Sequence, residues 1–383
     1  VSACGPDAAL GRDRHQTLRR LILLGLVAAV PTLAAARHAP EPPPRPHNVI
    51  LMIGDGMGLA QITLGRRSLP PGTTALALDA FPVAGLVRTD AVEGVVTDSA
   101  AAATAMAAGV KTLNGRIGVL PDGRPARTIL EEAERKGRAT GLITTTAIAH
   151  ATPAAFAAHV IDRDDRQAIA VQLLGAGIDV LIGGGLQDFV PESRSDKRDL
   201  VAEARRAGYT VATDESSWNA ADGLPLLALL APDGLTTRAP EPPLADLVDR
   251  ALGLLAEDPH GFFLMVEGGQ IDWYCHDNEA AGAVEELLEF DAAIGRVLAF
   301  ARRRGDTLVV VTGDHETGGL ALVASEPANG LPFEAHWATN GHSAVDVPLF
   351  ATGPGAQRFG GFLDNTEIAR RIADVWGLPP PGR

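Results

Sequence analysis

Residues 48–58 read Asn-Val-Ile-Leu-Met-Ile-Gly-Asp-Gly-Met-Gly. The apolar run Val49–Ile53 is short for a helix and rich in β-formers, and it stops at Gly54-Asp55-Gly56, a turn that carries a carboxylate. A strand buried on both faces of a sheet reads this way. Similar β-type runs recur at Gly141–Thr146, Val180–Ile182, Phe262–Val266, Thr307–Thr312 and Val347–Ala351. Helix-length segments lie between them: the Ala-rich Ala100–Ala108, then Ala126–Lys136, Asp165–Leu174 and the long amphipathic Glu279–Arg304, which stops at Gly305. Strands alternating with helices predict an α/β fold with a mainly parallel central sheet flanked by helices on both faces. The stretch Glu316–Asn340 breaks this pattern. It reads as a short insertion toward the C-terminal side of the sheet, an excursion from it and not a separate domain.

The N-terminal end differs in kind. Arg12, Arg14, Arg19 and Arg20 precede the apolar run Leu21–Ala36, which ends in small residues. A basic flank, a short apolar stretch and an A-x-A-like end predict a secretory signal over residues 1–37, with an uncleaved membrane anchor as the alternative. His38–His47 is a Pro-rich linker, and residues 48–383 are expected to form a single catalytic domain. The protein is therefore expected to be exported, periplasmic or secreted, with any membrane contact made through the N-terminal segment.

Composition narrows the function. Of 383 residues, 46% are apolar, enough for a large core. Lys plus Arg number 33 against 47 Asp plus Glu, a formal charge of −14, and no basic run offsets it. A nucleic-acid-binding role is excluded on that ground. The only cysteines are Cys4 and Cys275, which excludes a disulfide framework and a Cys-rich zinc module. Cys275 reads as a packing residue.

Ligands in open α/β sheets bind beyond the carboxyl ends of strands. The residues found there are Asp55 after the first run; His150 and Thr152 after the second; Glu267, Asp272 and His276 after Phe262–Val266; and Asp314-His315 after Thr307–Thr312. His342 stands before the last run. Each has an ordinary reading: Asp55 as a turn former, Asp272 and His276 as a surface pair at i, i+4. Their joint delivery to one sheet edge points instead to a metal site. A set of carboxylates and imidazoles without thiolate suits Zn²⁺ together with a harder ion such as Mg²⁺. Ser99, in Thr97-Asp98-Ser99 ahead of the Ala-rich helix, is either an N-cap or a nucleophile at the positive end of a helix dipole. The Gly-x-Ser-x-Gly elbow is absent around Ser99, and a metal can ionise a serine that has no obvious His base.

Taken in order, these stretches resemble the alkaline phosphatase family. They are Asn48–Gly58, Val96-Thr-Asp-Ser-Ala-Ala-Ala-Ala-Thr104, His150-Ala-Thr-Pro153, Val266-Glu-Gly-Gly-Gln-Ile-Asp272 with His276, Thr312-Gly-Asp-His315, and His342 before Val347-Pro348. The resemblance implies a phosphomonoesterase that acts on small phosphate monoesters through a phosphoserine at Ser99. It implies that Asp272, His276 and His342 hold one zinc, and that Asp55, Asp314 and His315 hold a second. Asp55, Thr152 and Glu267 are implied to form a third, magnesium-type site. Arg163, in Ala158-His-Val-Ile-Asp-Arg163, aligns with the family's phosphate-clamping arginine, and Asp98 would orient it; taken alone, Arg163 reads as a salt bridge to Asp162 or Asp165. Three departures stand out. His150 occupies a place where some members carry Asp and others His, which leaves the third ion open. Trp273 stands where others carry Lys or His. The short interval between His315 and His342 leaves the family's homodimer open.

The competing readings are a sulfatase or phosphodiesterase on the same scaffold, and an exported phosphate- or metal-binding protein without turnover. A sulfatase would need C/S-x-P-x-R, but Ala100-Ala101-Ala102 follow Ser99. Diesterases of the superfamily commonly use Thr and lack the clamp arginine.

Overall fold

The computed structural model describes residues 45–236, 238–328 and 331–382. The predicted targeting segment and most of the Pro-rich linker lie outside the described residues. Of the linker, His47 is tied to the domain: its N–H donates to Asp306 O at 2.7 Å, and its carbonyl accepts from Trp376 Nε1 at 3.2 Å and Arg138 Nη1 at 3.1 Å. Among the described residues no helix is long and apolar enough to cross a membrane.

The first eight strands are β1 (Asn48–Gly54), β2 (Val83–Arg88), β3 (Ala139–Ala147), β4 (Val180–Gly184), β5 (Thr210–Ala212), β6 (Leu226–Leu229), β7 (Phe262–Gly268) and β8 (Thr307–Gly313). Four more follow: β9 (Glu316–Thr317), the hairpin β10 (Ala321–Ala328) and β11 (Leu331–His336), and β12 (His342–Ser343), which pairs back on β9. The chain then returns as β13 (Val347–Thr352) and β14 (Gly361–Asp364). Ten strands make the main sheet, in the order β14-β2-β13-β8-β1-β7-β3-β4-β6-β5. All its pairings are parallel except those of β13, which runs antiparallel to β2 and β8. The Glu316–Asn340 excursion is thus a hairpin set between two short strands.

The alternation within β1 explains why both faces are covered. Val49, Leu51 and Ile53 enter one core with the helices Ser99–Ala108, Ile129–Glu134, Arg166–Gly175 and Thr366–Trp376. Ile50 and Met52 enter the other, with Leu244–Leu255 and Ala280–Arg304. Side chains alternate across a strand, so an unbroken apolar run must find an apolar layer on each side.

The helix expected over Ala126–Lys136 is shorter, Ile129–Glu134, because Thr128 caps it. Thr128 Oγ accepts from Glu131 N at 3.1 Å, and Glu131 accepts from Thr128 N at 2.8 Å, a closed capping box. The same hydroxyl donates to Phe156 O at 2.6 Å, joining this helix to the segment that carries His150 and Thr152. Thr128→Ala is expected to lower stability by about 1–2 kcal/mol, read as a lower urea midpoint at unchanged slope. An unmoved midpoint would show that water replaces the hydroxyl at no cost.

Candidate active site

The sheet order puts β8, β1, β7 and β3 side by side, and the predicted ligands leave their carboxyl ends as neighbours. Ile53 is in register with Glu267, and Gly54 with both Gly268 and Gly313. Adjacent strands lie about 4.8 Å apart, so the loops must crowd. At Gly56, with φ +73°, a Cβ would come within 2.9 Å of the Asp272 Cα. Both conformation and clearance demand glycine there.

Three clusters result. Asp272, His276 and His342 form the first. His276 Nε2 lies 3.2 Å from Asp272 Oδ2 and 3.1 Å from His342 Nε2. His276 Nδ1 lies 2.5 Å from Asn340 O and His342 Nδ1 lies 2.8 Å from Thr97 O. A carbonyl can only accept, so each Nδ1 carries the proton and each Nε2 points its lone pair into the cluster. Two lone pairs 3.1 Å apart repel unless a proton or a cation lies between them. The hydrogen bond to Asp272 pushes the pKa of His276 up to about 9, the proton's solution to this conflict.

Asp55, Asp314 and His315 form the second cluster, fully buried. His315 Nε2 lies 3.4 Å from Asp55 Oδ1 and 3.2 Å from Asp314 Oδ2. The His315 and His342 rings stack at 3.6 Å, so the two clusters abut. The third comprises Asp55, Glu267 and His150; Thr152 is buried near Glu267, and its hydroxyl has no hydrogen-bond partner. His150 makes an edge contact with the Trp273 ring at 6.1 Å.

The electrostatics fit a cation better than an apo pocket. Burial, then the charges of Asp314, Asp272 and Glu267, hold Asp55 well above the usual carboxylate range. Burial, then Asp272 and Glu267, push Asp314 up to about 8. Burial also raises Glu267, against the hydroxyls of Thr144 and Thr146, which donate to its Oε2. For Asp272 burial is outweighed by its hydrogen bond to His276 and by the neighbouring imidazoles, so its carboxyl is held low. Both oxygens of Asp55, Oε1 of Glu267, Oδ2 of Asp314 and Nδ1 of His150 are buried without a hydrogen-bond partner. Buried orphan oxygens in such density are costly unless a cation takes them.

Ser99 is the first residue of its helix and 2% exposed. The cap is Asp98, whose Oδ1 accepts from Ala101 N at 2.9 Å. That leaves the Ser99 hydroxyl free of capping, and its Oγ sits 3.2 Å from His315 Nε2. Asp98 Oδ2 accepts from Gly115 N at 2.9 Å and from Arg163 Nη1 at 3.0 Å. Arg163 therefore pairs across the fold with Asp98, in place of the ion pair with Asp162 or Asp165 that its sequence neighbourhood suggests. Its Nη2 lies 3.3 Å from His150 Nε2, so the guanidinium stands at the rim of the third cluster.

Three supporting residues escaped the sequence reading. Thr317 donates to Asp272 Oδ1 and lies 3.2 Å from His315 Nδ1, bridging the first two clusters. Asn114 accepts from Asp98 N at 3.0 Å and fixes the start of the Ser99 helix. Glu316, in β9, accepts from Ser343 of β12, from Gln61 and from Gly319 and Leu320 just past β9. Thr317 and Glu316 carried one usable signal, their place between the candidate ligand pair Asp314-His315 and Gly318-Gly319; Asn114 carried none.

Residues 46–335 match the family model described as alkaline phosphatase. The chain is 36% identical to alkaline phosphatase 3 of Bacillus subtilis, over 85% of this chain and 88% of that protein. It is 36% identical to streptomycin-6-phosphate phosphatase of Streptomyces griseus, over 95% and 97% of the two. Among solved structures, the alkaline phosphatase from the Antarctic bacterium TAB5 superposes with a TM-score of 0.81 at 38% identity, covering 88% of this chain and 100% of that one. A variant of that enzyme has been solved with Mg bound in its M3 site.

Proposed function

The chain belongs to the alkaline phosphatase family, and from that premise we propose that it hydrolyses small phosphate monoesters in two displacements, through a phosphoserine at Ser99. The observation that carries this reading is the buried Ser99 hydroxyl, 3.2 Å from His315 Nε2 at the junction of the clusters and at a helix N-terminus. Asp272, His276 and His342 would hold one zinc. Asp55, Asp314 and His315 would hold a second, and Asp55, Glu267 and Thr152, with His150 adjacent, a magnesium-type ion. Bound there, such ions supply charge stabilisation to the phosphate oxygens and lower the pKa of hydroxyl and water.

The chain's own residues do the rest. Ser99 gives up its proton to solvent, its Oγ bonds to phosphorus, and the bond to the ester oxygen breaks. The departing alkoxide takes a proton from solvent. Water then attacks the phosphoserine, releasing inorganic phosphate and restoring the Ser99 hydroxyl. The helix N-terminus favours the negative charge gathering at that point. Arg163 offers a planar fork to two phosphate oxygens, and its bond to Asp98 sets the plane of the fork.

A monoester has two anionic oxygens for that fork, whereas a diester has one of them blocked. Charge-assisted bonds contribute roughly 1.5–3 kcal/mol each. Arg163→Ala is therefore expected to lower kcat/KM for p-nitrophenyl phosphate by about two to four orders of magnitude and to change bis-p-nitrophenyl phosphate much less. Arg163→Lys should recover little, since a point charge cannot reproduce a fork. Equal losses on both esters, or a wild type that prefers the diester, would sink the monoesterase reading.

A further inference from the structure

Glu316 takes no part in the chemistry above, yet it is 3% exposed and its carboxylate collects four donors. Gln61 Nε2 and Leu320 N reach Oε1 at 2.7 and 3.0 Å. Gly319 N reaches Oε2 at 3.2 Å, and the Ser343 hydroxyl donates to the same oxygen. A carboxylate has about four acceptor sites, so this one is saturated, and by neutral groups. Among the described residues no Lys or Arg pairs with it. Burying a carboxylate on these terms gives little stability that an apolar side chain of the same volume would not.

The donors' positions in the chain give the arrangement its sense. Glu316 directly follows His315, and Ser343 directly follows His342. In the β9–β12 ladder Ser343 is paired with Glu316, and His342 with Thr317. Two residues per strand provide too few backbone bonds to hold a register, and a slip by one residue would turn His342 to the opposite face. The bond from Ser343 to Glu316 pins that register. Gln61 carries the same clamp to the third segment. It accepts from Gly58 N at 3.1 Å and donates to Thr317 O at 2.8 Å, and Gly58 ends the loop that begins at Asp55. The fit is close: a Cβ on Gly58 would stand 2.5 Å from Glu316 Cγ.

We propose that Glu316 is a positioning residue for the metal centre, a buried acceptor that locks the segments of Asp55, His315 and His342 into one geometry through Gln61 and Ser343. This rests on the reading that those residues bind metal. The test compares wild type, Glu316→Gln and Ser343→Ala. Each is stripped of metal and titrated with zinc against a competing chelator, bound zinc is counted by elemental analysis, and the visible spectrum of the cobalt-loaded protein is recorded. Gln keeps the shape but turns an NH₂ toward N–H donors. Glu316→Gln is expected to lose about 10–100-fold in zinc affinity, with an altered cobalt spectrum. Ser343→Ala, which removes one donor, is expected to lose roughly fivefold. Wild-type zinc affinity in Glu316→Gln would overturn the proposal. A wild type that binds no zinc would instead overturn the metal reading beneath it. If Glu316→Gln does not fold, Ser343→Ala decides: weakened zinc binding supports the clamp, and unchanged binding overturns it.

Discussion

Ser99→Ala is expected to lower monoesterase kcat/KM by at least about three orders of magnitude and to abolish acid-stable phosphoenzyme. The reasoning starts from the helix cap. Had Ser99 been the cap, its alanine variant would cost stability and leave chemistry ambiguous. Asp98 takes that duty through Ala101 N, and the rest of the helix start is held by Asn114 and Gly115. Removing one hydroxyl from a buried Ala-rich helix start therefore leaves the framework in place, and the melting temperature should move little. What disappears is the atom 3.2 Å from His315 Nε2. Residual turnover would come from direct attack of water on a phosphate still gripped by Arg163. The measurement is steady-state kinetics together with acid-quenched labelling by ³²P-phosphate. A labelled Ser99→Ala protein, or wild type labelled at another residue, would end the assignment.

The second large effect concerns metal removal. Asp55, Asp314 and Glu267 are buried together with raised carboxyl pKa values. For Asp314 the folded value is about 8 against an ordinary value of 3.8. A carboxyl raised on folding binds more protons in the native state than in the unfolded state, so stability is fully present below the ordinary value and falls as pH rises toward the folded one. Stripped protein should thus lose melting temperature steadily between about pH 4 and pH 8. Metal-loaded protein should not, because the cation takes the proton's place and its binding to the native state alone adds stability by mass action. A loaded site at one hundred times its dissociation constant contributes about 2.7 kcal/mol. Activity should vanish on chelation and return with zinc. Melting curves at pH 6 and pH 8.5, with and without chelator, decide the matter. Superimposable curves after metal loss, verified by elemental analysis, would count against it.

Much of this architecture was legible because the central strands are apolar on both faces. Val49–Ile53, Phe262–Val266 and Thr307–Thr312 could be read as strands without reference to their neighbours, and the candidate ligands follow directly after them. The outer strands were not legible, for physical reasons. In β2, Val83-Ala84-Gly85-Leu86-Val87 is apolar but centred on a glycine, and Ala84 and Leu86 are exposed, so neither periodicity nor composition marks it as a strand. β5 has only three residues, and β6 is Leu-Leu-Ala-Leu, a composition equally at home in a helix. The pairing of Arg163 with Asp98 spans 65 positions, and no local pattern announces such a distance. Glu316 was hidden for the same reason: what marks it is the convergence of donors from Gln61, Gly319, Leu320 and Ser343, which exists only once the chain is folded.

The strand order has a consequence for how the protein is made. β1 lies between β7 and β8, with Asn48 paired to Thr307 and Val49 to Phe263. At typical synthesis rates of 5–20 residues per second, β1 leaves the ribosome roughly 13–50 s before β8 is complete. For most of that interval one of the most apolar segments of the chain has neither of its sheet neighbours, since β7 is itself complete only 45 residues before β8. Contacts of such high sequence separation are slow to form and leave strand edges open to intermolecular pairing. The catalytic edge is then among the last parts of the molecule to exist, and catalytic competence can serve as a clock for completion of the fold.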